Sequence, residues 1–329
     1  MPKRVTVIIP NWNGREMLEI VLSSLAEQEY DDFSVLVVDN GSDDGSVEYV
    51  RERWPDVDVL ALPENVGFAP AVNRGIEATG AEYVALLNND MEVTPTWLGE
   101  LVLELDRHPE AGSVTSKLLS FHDRDVLDGA GDVLTWSGNA NRRGQGELDS
   151  GQYDQPGDVF SACGGAALYR RSALREVGLF DEDFFAYLED VDWGFRAQLR
   201  GWKCRYVPSS VAYHVGAATT SRQGGLEVFL ARRNQLALVV KNLPLSSLAR
   251  FWWLILGEQL HALWIALRTR TLRFQLAAWA SAARRLPRTL SKRREIQRRR
   301  RIGHADLREL ILPWHAAVRL WFPRLGAGA

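Results

Sequence analysis

A chain of 329 residues, 46% hydrophobic and 25% charged, has the composition of a folded globular protein with room for one large domain and an appendage. Its net charge of −3 hides a division: residues 1–230 hold 19 Lys and Arg against 38 Asp and Glu, and residues 231–329 hold 20 against 4. Two cysteines, Cys163 and Cys204, exclude a disulfide framework and a cysteine-based zinc site, and no apolar run is long enough for a signal peptide or a spanning helix.

Residues 5–9 are a buried strand stopped by Pro10, and Met17, Leu18, Val21, Leu22 and Leu25 mark one face of the following helix. Residues 35–38 form a second strand ending at Asp39. A turn of Ser, Asp and Gly then opens a helix over 46–53, and residues 57–61 make a third strand. Residues 68–78 are helical, and residues 83–87 are a fourth strand ending in Asn88-Asn89-Asp90. Continuous apolar strands alternating with helices predict an α/β fold, a mostly parallel sheet covered on both faces. Ligands of such sheets bind beyond the carboxyl ends of the strands. Those ends carry Pro10-Asn11, Asp39-Asn40, Pro63-Glu64-Asn65 and Asn88-Asn89-Asp90.

Residues 123–156, rich in Gly, Asp and Asn, read as a long loop or hairpin over the sheet. Cys163-Gly164-Gly165-Ala166 permits close backbone approach. Residues 189–200 are predicted helical with Gly201 as the stop, and residues 203–207 form a strand ended by Pro208. Beyond about residue 230 the text becomes rich in Trp, Leu and Arg, with Arg concentrated over 284–301.

Several groups offer chemistry. Asp39 can accept from a base N–H or a ribose hydroxyl, or it belongs to an acidic turn that caps the next helix. Asn88-Asn89-Asp90 suits a hard divalent cation shared with phosphate oxygens, or it is a polar turn. Glu189, Asp190 and Asp192 crowd three acids at a helix start. The helix dipole stabilises them there, whereas their mutual repulsion raises the pKa of one and fits it for general-base work. His214 is either a packed imidazole or a second protein ligand for a cation near Asp90.

In this order and spacing the segments resemble the family 2 glycosyltransferases of GT-A fold, in particular the rhamnosyltransferase-like branch. The resemblance spans about residues 4–240 and rests on Val7-Ile8-Ile9-Pro10-Asn11-Trp12-Asn13-Gly14, Val37-Val38-Asp39-Asn40-Gly41-Ser42, Asn65-Val66-Gly67-Phe68-Ala69 through Asn73-Arg74-Gly75, and Leu87-Asn88-Asn89-Asp90. Gly164-Gly165-Ala166, residues 180–202 around Glu189-Asp190, and His214 complete it. It implies a metal-assisted, inverting transfer of a sugar from a nucleoside diphosphate to an acceptor hydroxyl. Asp39 then reads the base, with Pro10, Asn11 and Asn13 as the floor of that pocket. Asn65, Gly67, Phe68 and Asn73 lie near the donor ribose and diphosphate, and Asn89 and Gly165 join the donor site. Asp90 and His214 hold Mg²⁺ or Mn²⁺, with Asn88 standing where the family has its first acid. Asp190 is the catalytic base and Glu189 its neighbour. dTDP-rhamnose is the donor favoured by resemblance, and a glycan or polyprenyl-diphosphate-linked molecule the acceptor. Two other classes remain open: a nucleotidyltransferase that makes the donor, and a non-catalytic binding protein that uses its basic tail.

The division expected is a glycosyltransferase domain over residues 1–240 and a basic, Trp-rich helical region over 241–329. Arg-rich text suits nucleic-acid phosphates, a solvated helix, or an interfacial membrane element. Trp252, Trp253, Trp264 and Trp279 among Leu and Ile suit the last, and the resemblance also favours it, implying a peripheral contact with anionic lipid through 245–301 at the cytoplasmic face, without nucleic acid. Packing of these Trp between helices or across an oligomer is the competing expectation.

Overall fold

The computed structural model describes residues 3–216 and 225–321. Its first half alternates strand and helix: β1 (Val5–Asn11), α1 (Arg15–Ala26), β2 (Phe33–Asp39), α2 (Ser46–Arg53), β3 (Asp58–Ala61), α3 (Phe68–Ala78), β4 (Tyr83–Leu87), β5 (Met91–Val93) and α4 (Trp97–Arg107). There follow β6 (Ala111–Ser120), β7 (Leu127–Gly129), β8 (Asp132–Leu134), β9 (Ala140–Arg142), β10 (Gly157–Val159), β11 (Ala166–Arg170), α5 (Arg171–Val177), α6 (Glu189–Leu199) and β12 (Lys203–His214). The C-terminal part is helical: α7 (Leu226–Asn242), α8 (Leu245–Arg268), α9 (Leu272–Arg298), α10 (His304–Leu310) and α11 (Trp314–Trp321).

One sheet runs in the order β10-β12-β6-β11-β4-β1-β2-β3. β3, β2, β1 and β4 are parallel, as are β6 and β12, while β11 is inserted antiparallel between β4 and β6. Side chains alternate across a strand, so Val5, Val7 and Ile9 of β1 pack on Leu18, Val21 and Leu22 of α1. Ile8 turns the other way, onto Val72 and Ile76 of α3. Both faces are therefore covered, as the apolar strands predict. Strand β12 corrects one expectation, because it continues through Pro208 to His214. The pairing with β6 slips between Val207 and Val211, and an irregularity of this kind is where a strand tolerates a residue lacking an N–H. This extension is what carries His214 to the other strand ends.

Residues 123–156 hold β7 and the antiparallel hairpin β8–β9. Leu134 and Trp136 beside this hairpin share a third apolar cluster with Phe184, Val191 and Phe195, and with Leu238, Phe251, Leu254, Leu307 and Ile311 of the C-terminal helices. The expected boundary at residue 240 falls inside α7. Lys241, also in α7, is buried between Asp181 and Asp192, 2.7 Å from Asp192 Oδ1, and Arg196 Nε lies 2.8 Å from Asp192 Oδ2. Asp192, the third of the clustered acids, is thus neutralised within the core. Among the described residues no helix is long and apolar enough to cross a membrane.

Candidate active site at the strand ends

A cavity of about 480 Å³ opens beyond the ends of β1, β2 and β4. Pro10 and Asn11 reach it from β1, Asn40 from the end of β2, Asn65, Gly67 and Phe68 from the start of α3, and Asn88, Asn89 and Asp90 from the end of β4. Gly165, Glu189, Asp190 and His214 line it as well, so eleven of the fourteen site residues expected from sequence border one space: Pro10, Asn11, Asn65, Gly67, Phe68, Asn89, Asp90, Gly165, Glu189, Asp190 and His214.

The other three stand behind the wall. Asp39 is buried; its Oδ2 accepts from Asn11 Nδ2 at 3.0 Å and its Oδ1 from the Ser42 amide at 3.0 Å. Asn11 Oδ1 accepts in turn from Asn89 Nδ2 at 2.8 Å, so one hydrogen-bonded chain ties together the ends of β2, β1 and β4. Asn13 donates its amide to Ser42 Oγ and accepts from the Asp43 amide. Asn73 is buried and does not line the cavity. Its side chain donates to the Phe180 carbonyl and accepts from the Phe180 amide, clasping α3 to the segment that leads into α6.

That segment is conformationally costly. Phe185, Tyr187 and Leu188 have φ of 65°, 70° and 67°, values that residues with a side chain seldom adopt. Two neighbours in α7 hold it. Asn234 Nδ2 lies 2.8–3.0 Å from the carbonyls of Phe184, Ala186 and Tyr187. Arg233 Nη2 donates to the carbonyls of Asp183 and Phe184 at 2.9 and 2.8 Å. On the other side Gly67, at φ +100°, sits so close to the Phe185 ring that a Cβ would fall 2.5 Å from it. Sequence reading passed over Arg233 and Asn234, because only the fold shows that α7 lies beneath this turn.

Glu189 and Asp190 follow immediately at the start of α6 and have different environments. Asp190 Oδ2 accepts from the Gly164 amide at 2.9 Å. Glu189 is buried and its Oε2 has no hydrogen-bond partner. Burial, with the charges of Asp190 and Asp192, pushes the Glu189 carboxyl well above the usual carboxylate range. A third acid missed in the sequence, Asp132 at the start of the hairpin, also lines the cavity; burial and the Asp190 charge raise it to about 8. Its signal was Asp128-Gly129-Ala130-Gly131-Asp132, acids spaced through a glycine turn in text read as loop.

At the cation end, His214 Nε2 lies 3.3 Å from Asp90 Oδ2 and Nδ1 lies 3.0 Å from Asp128 Oδ2, while Arg142 also pairs with Asp128. Burial alone would lower the imidazole, but its hydrogen bonds to Asp128 and Asp90 raise it to about 9. Asn88 Oδ1 and Asp90 Oδ1 are both buried without a hydrogen-bond partner. Oxygen donors left bare in this way fit a hard divalent ion. No group of three or more His, Cys, Asp or Glu among the described residues is placed to enclose an ion.

Comparison with known proteins agrees with this geometry. The sequence model of the family described as Glycosyl transferase family 2 matches residues 6–178. An N-acetylglucosaminyl-diphospho-decaprenol L-rhamnosyltransferase of Mycobacterium tuberculosis is 30% identical over 240 residues, covering 66% of this chain and 77% of that protein. The O-antigen biosynthesis protein RfbC of Myxococcus xanthus is 31% identical over 208 residues, 60% of this chain but 16% of that much longer one. Among solved structures, GalNAc-T7 with UDP, GalNAc and Mn²⁺ matches with a TM-score of 0.60 at 17% identity, over 73% of this chain and 48% of that one. A mannosyltransferase of Pyrobaculum calidifontis in complex with GDP-Man and Mn²⁺ matches with a TM-score of 0.54 at 20% identity, over 98% and 82%. These neighbours show the GT-A fold.

The two adjacent acids are separable by substitution. A general-base role for Asp190 predicts that Asp190→Asn lowers the transfer rate by about 10²–10⁴, whereas Glu189→Gln, which replaces a carboxyl pushed above the usual carboxylate range with a neutral amide, costs at most about tenfold. Initial rates of the two purified variants test this, and equal losses would remove the distinction. With both faces of its sheet covered, its strand ends converging on one cavity and its sequence matched over more than half its length, the chain belongs to glycosyl transferase family 2 and is a glycosyltransferase.

Proposed function

We propose that this enzyme transfers a sugar, with rhamnose from dTDP-rhamnose as the leading choice, from a nucleoside diphosphate to a hydroxyl of a diphosphate-linked glycan lipid, inverting the anomeric carbon. The observation that supports it best is the convergence in one cavity of a hydrogen-bonding donor floor (Asn11, Asn89), bare oxygen ligands (Asn88, Asp90) and a carboxylate, Asp190, held by a backbone amide. Pro10, Asn65, Gly67, Phe68 and Gly165 line the donor side, Asp39 and Asn13 brace it from behind through Asn11 and Ser42, and Asn73 acts on it indirectly by fixing Phe180. Asp190 takes the proton of the acceptor hydroxyl as its oxygen bonds to the anomeric carbon. The carbon–oxygen bond to the diphosphate breaks, and its electron pair leaves with the nucleotide. Asp90, Asn88 and His214 would hold Mg²⁺ or Mn²⁺, which when bound supplies Lewis-acid neutralisation of the leaving diphosphate. The acceptor class is supported by the M. tuberculosis relative, whose name specifies an N-acetylglucosaminyl-diphospho-decaprenol acceptor.

Incubation with dTDP-, UDP- and GDP-sugars, with Mn²⁺ or with chelator, tests this reading. Release of nucleoside diphosphate that requires a divalent ion and rises with a glycan-diphospholipid acceptor is expected. No release from any nucleotide sugar would sink it.

The same reading places the enzyme at an anionic membrane surface. Leu245, Trp252, Trp253, Leu256, Leu260, Trp264 and Leu267 are all exposed on α8, with Trp252 at 60%. The acid of α8, Glu258, is buried against Arg232, so the exposed charge of that helix comes from Arg250 and Arg268. Part of the Arg-rich run is instead engaged by this chain's own groups. Lys292 pairs with Asp181 and Asp183, Arg288 with Asp183, and Arg293 with the carbonyls of Val240 and Leu243. We therefore assign the lipid contact to α8 and narrow the expected 245–301 to that helix. An amphipathic helix with Trp and Leu on one face and cations at its edge suits the headgroup plane. Co-sedimentation is expected with phosphatidylglycerol vesicles and not with phosphatidylcholine vesicles, and to be lost in a Leu256→Glu, Leu260→Glu variant. Binding that survives in the variant would contradict the assignment.

A further inference from the structure

The cavity contains two bare polar atoms that neither a cation nor a donor floor accounts for. Asn141 Nδ2 and Glu189 Oε2 are both buried, both belong to cavity-lining residues, and neither has a hydrogen-bond partner. Buried amide and carboxyl groups are normally satisfied. A bare one in a concave site marks where a ligand supplies the missing atom. Asn88 Oδ1 and Asp90 Oδ1, the other orphans of this cavity, are acceptors at the end of β4. Asn141 lies elsewhere, on β9 of the hairpin.

The hairpin is held rigidly enough to read a ligand. Asp132 Oδ2 accepts from Ser161 Oγ at 3.0 Å, and its backbone exchanges hydrogen bonds with Phe160 and Ser161. Arg142 pairs with Asp128, which also holds His214. Leu134 and Trp136 enter the third apolar cluster, and the Leu312 amide donates to the Leu134 carbonyl at 2.8 Å. Asn141 therefore lines the cavity from a braced hairpin, and Glu189 adjoins Asp190 in sequence at the start of α6.

We propose that Asn141 and Glu189 are the acceptor-reading residues: each donates a hydrogen bond to an oxygen of the sugar whose hydroxyl Asp190 deprotonates. This rests on the sugar-transfer function above and adds to it the residues that select the acceptor. The ligand they fit is a sugar ring presenting two hydrogen-bond-accepting oxygens, hydroxyl or carbonyl, near the attacking hydroxyl. Glu189 suits a donor role because burial and the neighbouring acids push its carboxyl well above the usual carboxylate range, which favours the protonated form. A site built around buried polar groups rejects a ligand lacking the matching atom more sharply than an apolar pocket does, since the groups are then left unpaired.

The test is steady-state kinetics with dTDP-rhamnose and a short-prenyl N-acetylglucosaminyl diphosphate, together with thermal unfolding. Asn141→Leu is expected to raise the acceptor KM at least about tenfold and to leave the donor KM within about twofold. It should also leave the unfolding temperature equal or higher, because an unsatisfied buried amide is gone. Glu189→Leu should show the same acceptor-specific loss, with Glu189→Gln restoring most of it. An unchanged acceptor KM in both Leu variants would overturn the proposal. So would equal losses for donor and acceptor with a lowered unfolding temperature, since that pattern marks a structural role. Failure of the underlying function shows differently, as absence of donor turnover in the unsubstituted enzyme.

Discussion

The catalytic end of this enzyme depends on a short stretch of backbone that would not hold its shape alone. Phe185, Tyr187 and Leu188 occupy left-handed conformations, each costing on the order of 1–3 kcal/mol unless the surroundings impose it. The surroundings do so through carbonyl groups, which Asn234 and Arg233 bind in succession. Because Glu189 and Asp190 follow directly, their position is held by α7, an element that lies outside the strand–helix alternation. Asn73 and Gly67 secure the same stretch from α3. The costly turn is thus fixed from two sides.

Charge is distributed to match. The acidic body and basic tail that the net charge conceals are joined by ion pairs: Lys241 with Asp181 and Asp192, Lys292 with Asp181 and Asp183, and Arg301 with Glu176. Lys241 in particular neutralises two buried carboxylates of the body, Asp181 and Asp192, and removing it would strand their charge. What remains exposed on α8 is apolar surface edged by arginine, and that combination is suited to lipid more than to a solvated helix.

The parts of the site legible in the sequence are those formed by local patterns. A buried strand must end, and polar residues such as Asn11, Asp39 and Asn88-Asn89-Asp90 at those ends announce themselves. Asp190 and His214 were found through the order of weak motifs in the family resemblance. The residues missed owe their place to long-range packing. Asp132, Asn141 and Arg142 sit on a hairpin of three-residue strands, too short to give a periodic signal. Arg233 and Asn234 come from a helix whose composition gives no hint of what lies under it. Pro208 misled for a local reason, since a proline ends a regular strand but is tolerated where the pairing slips.

The central claim is that α7 serves the proposed catalytic role of Asp190 by fixing the turn that precedes it. Steady-state kinetics of Asn234→Ala, with the fold checked by circular dichroism, test it most directly. A misplacement of about 1 Å at the base costs on the order of 100-fold, so kcat should fall by roughly that factor, and by more than the donor KM rises. An Asn234→Ala enzyme that folds and keeps its full kcat would contradict the account.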